Sequence, residues 1–430
     1  MKRRVILLIA LVWMYAACEK PTVSNEVEEP DLPCAPFELT KSQEDFVEDN
    51  NAFAFCLLAG LTDDSQCRNE NFMVSPLSAG FLLSALNNGA QGQTQEQILA
   101  ALGYGDYTAD QVNEYCRLLI EGSGAVDPKV SVGIHNAVIV NKDYSLKSAF
   151  AQSLTSYYDA YVENADFTKK LTLDLINDWA EKKSGGLIPS VMDNIDPQAV
   201  MYALNCICFK ARWTNEFLPK STAKENFTDI DGRTQQVMMM NAEDRYLYSA
   251  NGTWKTLVLP FSRAYYRMFV LLPEEGKDLS AMVAALDENS WAGALSSLKS
   301  RKVNLKFPKF ETETSLSLNE VLKGMGMTDA FDKTKADFGA MVNAEDMFIS
   351  LIKQDSRIKI DEEGAEAAAI TKLQLDGADF PEQQESVKFH ADRPFIYLIQ
   401  EKSSGAIFFT GVKCKEIQQG LCGGRHATPG

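Results

Sequence analysis

An α+β fold in one large domain is predicted by three observations. The N-terminal part reads as amphipathic helices, the remainder is dominated by short apolar runs of strand length, and neither an internal repeat nor a linker interrupts residues 41–417. The 430 residues are 45% apolar and 10% aromatic, enough to bury a large core.

The elements follow in order. From Asp45 to Leu61 the positions of Phe46, Val47, Phe53, Phe55, Leu57 and Leu58 suit one face of a helix. Ser75-Pro76 supplies an N-cap and a first-turn proline for a second helix running toward Asn88-Gly89, apolar nearly all round. Thr94 and Gln97 have the spacing of a capping box for a third helix ending near Gly103. Gly122 and Gly124 then read as a joint, Val130–Val140 as a strand, and 147–158 and 171–183 as helices, with Trp179 on the buried side of the second. Strands are predicted at 201–209, 237–240, 256–260 and 268–272. Val303, Leu305 and Phe307 alternate with polar residues, and a helix is expected over 316–323.

Charge and termini bound the function. With 59 acidic against 42 basic residues the chain offers no phosphate-binding face, so nucleic acid is set aside as a partner. Residues 1–17 place Lys2, Arg3 and Arg4 before an apolar run from Val5 to Ala17, which reads as an export signal too short to span a bilayer comfortably. Met14-Tyr15-Ala16-Ala17-Cys18 resembles the lipobox of bacterial lipoproteins, which implies lipid on Cys18 and an envelope-anchored protein; an ordinary secretory peptide with an incidental Cys18 is the alternative. Removing residues 1–17 moves the formal charge from −17 to −20. Residues 18–40, acidic and Pro-containing, read as an extended solvated tether, 41–417 as the domain and 418–430 as a tail.

Cys34, Cys56, Cys67, Cys116, Cys206, Cys208, Cys414 and Cys422 show no regular framework; Cys56 with Cys67 and Cys414 with Cys422 are candidate bridges. Cys206 and Cys208 share one strand face and read as small core fillers in preference to metal ligands. The chain carries no G-x-S-x-G elbow, H-E-x-x-H pair, P-loop or dinucleotide fingerprint. His135, His390 and His426 lie far apart in sequence, so neither an enzyme nor a metal or other cofactor is expected.

One stretch stands out. Beyond Gly364, the alternate residues Ala365, Ala367, Ala369, Thr371, Leu373 and Leu375 are small or apolar, while Glu366, Ala368, Ile370, Lys372 and Gln374 between them are largely polar. Between Gly364 and Gly377 such a run could slide between two strands without overpacking them, or could be an ordinary edge strand.

Glu362-Glu363-Gly364-Ala365-Glu366-Ala367-Ala368-Ala369 resembles the hinge of inhibitory serpins, and Phe389-His390-Ala391-Asp392-Arg393-Pro394-Phe395 resembles the strand that follows their reactive loop. Asn71-Phe72-Met73-Val74-Ser75-Pro76-Leu77-Ser78, Gly89-Ala90-Gln91-Gly92-Gln93-Thr94 and Phe209-Lys210-Ala211-Arg212-Trp213 extend the resemblance over nearly all of 41–415. It implies a serpin fold of three sheets and about eight or nine helices with an exposed reactive-centre loop. It also implies a monomeric, single-use trap forming a covalent one-to-one complex with a protease. Ser75, Pro76, Ser78 and Asn205 match the shutter under the opening strands, Trp213 matches the top of the breach, and Gln354 stands where many members have His. The hinge is then Glu362, Gly364, Ala365, Glu366, Ala367, Ala368, Ala369 and Thr371.

The family's usual distance from the hinge glycine lands the attacked bond on Ala378–Asp379, with Asp376–Gly377 as a rival. Ala378 preceded by Leu375 suits an elastase-like or subtilisin-like serine protease; Leu375 before Asp376 would suit a papain-like cysteine protease. The competing class is a non-inhibitory serpin-like binding protein, in which bulky, charged or Pro residues usually replace Ala365, Ala367 and Ala369.

Overall fold

In the computed structural model, residues 32–365 and 385–416 are described. The chain opens with helix α1 (Lys41–Asp63), strand β1 (Phe72–Val74) and helices α2 (Pro76–Asn87), α3 (Gly92–Leu102) and α4 (Ala109–Val126). Then follow β2 (Ser131–Asn141), α5 (Ser148–Tyr158), β3 (Tyr161–Ala165), α6 (Lys170–Lys183) and β4 (Met201–Arg212). The strands β5 (Ala223–Thr228), β6 (Thr234–Ala250), β7 (Trp254–Pro260) and β8 (Tyr266–Pro273) precede the short helices α7 (Leu279–Ala285) and α8 (Glu288–Ser296). The order closes with β9 (Lys299–Pro308), β10 (Phe310–Ser317), α9 (Asn319–Gly324), β11 (Leu351–Ile360), β12 (Gly364–Ala365), β13 (Val387–His390), β14 (Phe395–Glu401) and β15 (Ile407–Lys413).

The strands form two ladders. One runs β10-β11-β12-β4-β2-β3; the other runs β1-β15-β14-β8-β7-β6-β9-β13, with β5 beside β6. The long β6 explains why the three expected sheets share two ladders. Met239–Tyr248 pairs with β9 while Leu247–Ala250 pairs with β7, so one strand belongs to two layers.

Every residue of α2 is buried, because the helix touches β15 of one ladder and β2 and β4 of the other. Its start is capped as expected: the Ser75 hydroxyl accepts from Ser78 N at 3.2 Å, and Pro76, having no N–H, occupies the first turn. On its other face the β2/β4 sheet is covered by α6, whose Ile176 and Ala180 join Ala137, Ile139, Leu204 and Cys206 in a second core.

Several expectations are corrected. Gly122 and Gly124 are not a joint but lie inside α4, and a side chain at 122 would overlap the ring of Phe37. Thr94 and Gln97 do not cap their own helix, whose N-cap is Gln91; the Thr94 hydroxyl accepts from Asp337 N at 2.9 Å and the Gln97 amide oxygen from Asp329 N at 2.8 Å. The helix expected over 316–323 begins only at Asn319, since Leu316 and Ser317 end β10. Part of the expected tether is docked: Ala35 N donates to Ala125 O at 3.0 Å and Phe37 N to the Ser403 hydroxyl at 2.9 Å. Cys56 and Cys67 are both free, Cys56 pointing to solvent from α1 and Cys67 buried in the turn beyond it. Cys422 and His426 lie outside the described residues.

Candidate functional site

The site lies where β4 and β11 meet. Through Leu351–Arg357 and Tyr202–Cys208 these strands pair directly and in parallel, Gln354 opposite Asn205. Above that stretch they part and admit β12: Ala365 pairs antiparallel with Ile360 on one side and with Ala211 on the other, and Gly364 pairs with Arg212. A small antiparallel wedge therefore sits at the head of a parallel pair. Gly364 is required there, because a Cβ would strike the Ala211 carbonyl oxygen and come within 2.7 Å of Arg212 Cα.

The wedge is held from the side. Trp213 N donates to Glu363 O and Phe217 N to Glu362 O, both at 2.9 Å. The Trp213 indole N–H donates to Asp361 O at 2.9 Å, and its ring stacks on Phe261 with centroids 4.4 Å apart. Glu362 accepts from the Thr222 hydroxyl at 2.9 Å and pairs with Lys309. Burial works to raise the Glu362 pKa, but the bonds from Lys309, its own backbone and Thr222 outweigh it, and the carboxyl titrates below its ordinary value.

Below the wedge lies a buried polar cluster. The Gln354 amide oxygen accepts from Ser75 N at 2.6 Å, while its NH₂ donates to Ser75 O at 3.1 Å and to Asn205 Oδ1 at 2.9 Å. Asn205 in turn donates to the Ser78 hydroxyl and to Asn136 Oδ1, each at 2.5 Å. The Ser356 hydroxyl donates to Met73 O at 2.7 Å, tying β11 to β1. An amide that donates and accepts at once suits position 354, since a donor and an acceptor of Ser75 both face it. These bonds join α2 to both central strands, so opening the pair between β4 and β11 must break or rearrange them.

Of the residues singled out from sequence, Ser75, Ser78, Asn205 and Gln354 come together, with Pro76 opening the helix beneath them. Trp213, Glu362, Gly364 and Ala365 gather at the top. Glu366, Ala367, Ala368, Ala369, Thr371, the candidate bonds Ala378–Asp379 and Asp376–Gly377, and Cys18 lie outside the described residues. Asn136, Asp361, Phe217 and Lys309 were not anticipated. Asn136 could have been: it is a polar residue at a core-facing position of the apolar run Ile134–Val140.

Cys206 and Cys208 face α6 opposite His135 and Gly133. Burial pushes the Cys206 thiol up to about 12, and burial followed by the charge of Lys183 lowers the His135 pKa, so each is held in its uncharged form. Among the described residues no group of three His, Cys, Asp or Glu could hold a metal ion.

The Serpin family model, serine protease inhibitor, matches residues 48–415. Serpin-Z10 of Arabidopsis thaliana is 32% identical over 356 residues, covering 79% of this chain and 90% of its own. The thermophilic serpin tengpin in its native state superposes with a TM-score of 0.79 at 28% identity, covering 90% of this chain and 98% of tengpin. Human thyroxine-binding globulin, solved with thyroxine, superposes equally well at 0.79 and 25% identity, covering 87% of this chain and all of its own. With the wedge, the polar cluster beneath it and the family match over the same residues, the chain belongs to the serpin family of protease inhibitors.

Proposed function

We propose that the protein is an inhibitory serpin that traps a protease by inserting its cleaved loop between β4 and β11. The observation that carries the reading is Ala365, already paired with both strands and followed in sequence by Glu366-Ala367-Ala368-Ala369. Family membership alone does not separate trap from carrier, since the fold is shared by a globulin solved with thyroxine. The hinge sequence favours the trap, because small residues let a strand enter a closed pair without overpacking it.

In this reading the protease attacks near Ala378–Asp379 and stays esterified to the loop. The severed segment extends β12 downward, replacing a single parallel ladder by two antiparallel ones, and the attached protease is carried along before it can deacylate. An elastase-like or subtilisin-like serine protease is the proposed target, from Ala378 and Leu375. Export, with lipid on Cys18 holding the domain to a bacterial envelope, belongs to the same proposal and is supported by the residue pattern of 1–18.

The test is incubation of the purified protein with pancreatic elastase and with subtilisin, read on denaturing gels and by intact mass. A denaturant-resistant complex with release of a fragment starting at Asp379 is expected. Complete cleavage without complex, and without a gain in thermal stability, would leave a binding protein.

A further inference from the structure

A cavity of about 230 Å³ lies behind the wedge, between Arg245–Leu247 of β6, the end of β7, the start of β8 and the segment after β4. Its walls are mostly apolar, with Trp213, Phe217, Leu247 and Val258 among them. Three cations line it, Arg245, Arg267 and Lys402, and no carboxylate side chain does.

Arg267 is the informative member. It projects from β8 and is largely buried, yet no carboxylate lies within ion-pair distance of it among the described residues. Its Nη2 donates to the Gln400 amide oxygen at 3.3 Å, its guanidinium sits 5.3 Å from the centre of the Phe269 ring, and its Nε is buried without any partner. The neighbouring Glu401 acts on it only through its charge and makes no ion pair: that carboxylate accepts from the backbone N–H and hydroxyl of both Ser403 and Ser404. A partly buried guanidinium with no ion pair is costly, and where Arg267 lines the apolar cavity its donors are an acceptor's place. The adjoining groove carries Glu216, Glu243 and Asp244, which disfavours a polyanion.

We infer that this cavity is a binding site for a compact apolar monocarboxylate, whose carboxylate meets Arg267 and whose hydrocarbon or aromatic body lies against Trp213 and Phe217. The same two residues hold the hinge through Asp361, Glu362 and Glu363. An occupant therefore buttresses the hinge in its uncleaved position and slows its movement, to the extent that it binds that form better than the inserted one. This coupling rests on the insertion reading above; the binding itself does not.

Cinnamate and its neutral amide, cinnamamide, are suitable probes, titrated into the full chain by calorimetry. Cinnamate is expected to bind at one site and about tenfold more tightly than the amide, the difference a charge-assisted hydrogen bond confers. Arg267→Met should abolish that preference and Arg267→Lys retain part of it. Lys402→Gln, on an exposed turn, should weaken binding of the acid alone and serves if Arg267→Met does not fold. Saturating cinnamate should also slow spontaneous conversion to the heat-stable form on native gels. Equal binding of acid and amide, no binding of either, or an undiminished preference in folded Arg267→Met would overturn the site. Binding without slowing would overturn the coupling only, and absence of a protease complex would leave the binding result standing.

Discussion

Gln354 and Asn205 stand opposite each other in the parallel ladder of β11 and β4, and the Gln354 amide donates to Asn205 Oδ1 at 2.9 Å. Both side chains are buried, and Gln354 also satisfies the N–H and C=O of Ser75. Gln354→Leu leaves those groups unpaired and should cost about 3 kcal/mol, seen as a lower urea midpoint with unchanged slope. Gln354→His should keep inhibition and make it respond to pH near 6.5, the ordinary imidazole value.

If the proposed insertion continues the pairing of Ala365 with Ile360 and Ala211, the register of both edges would bring position 371 between Gln354 and Asn205. A charged side chain there would be buried without a partner. Thr371→Arg should therefore reduce the fraction of protease caught as complex by about tenfold or more while the loop is still cut. Gel densitometry of complex against cleaved inhibitor measures the ratio.

Gly364→Val forces a Cβ into the backbone of Ala211 and Arg212, which cannot yield as a side chain could. The wedge is expected to leave its slot, lowering complex formation and exposing 364–365 to hydrogen exchange. Gly124→Ala, with open space around the new methyl, should instead leave trapping intact and stabilise α4 by up to about 1 kcal/mol.

Acid should loosen the wedge. The folded-state pKa of Glu362 lies below its ordinary value of 4.5. Its contribution is therefore fully present above that value and is lost as pH falls through the folded pKa. Spontaneous conversion should accelerate below about pH 4.5, and Glu362→Gln should remove most of the difference. Lys309→Met, deleting the partner ammonium, should shift the onset upward.

The docked segment ahead of α1 is expected to stabilise the whole domain. Phe37 packs on Gly122 of α4 and donates its backbone N–H to Ser403. Phe37→Ala should lower stability by about 1 to 2 kcal/mol, the value of a partly buried ring. Thermal melting of the variant against the parent measures it.

The elements legible in the sequence are those whose fate is set locally. Ser75-Pro76 announces α2. What stayed hidden depends on distant partners. Gly122 in α4 breaks a local rule because Phe37, remote in sequence, occupies the space a side chain would need, whereas nothing crowds Gly124. Thr94 and Gln97 have the spacing of a cap yet serve the backbone of Asp337 and Asp329. The lower half of β6 carries Glu243, Asp244 and Arg245 in succession, which hides a strand whose register β9 dictates. Ser75, Ser78, Asn205 and Gln354 are singled out only by the family resemblance; Asn136 is silent in those motifs but stands out as a polar residue in the apolar run Ile134–Val140, and Asp361 shows its part only through the backbone carbonyl that Trp213 meets.

The loop has two moorings: β12 lodged between β4 and β11, and β13 paired in parallel with β9 from Val387 to His390. Cutting the chain between them releases one end for good, since no step in the molecule can restore the peptide bond. In the trapping mechanism proposed above, each molecule would store a single bit, intact or spent, and the spent share of a population would be a running total of protease encounters that does not decline when the protease is gone.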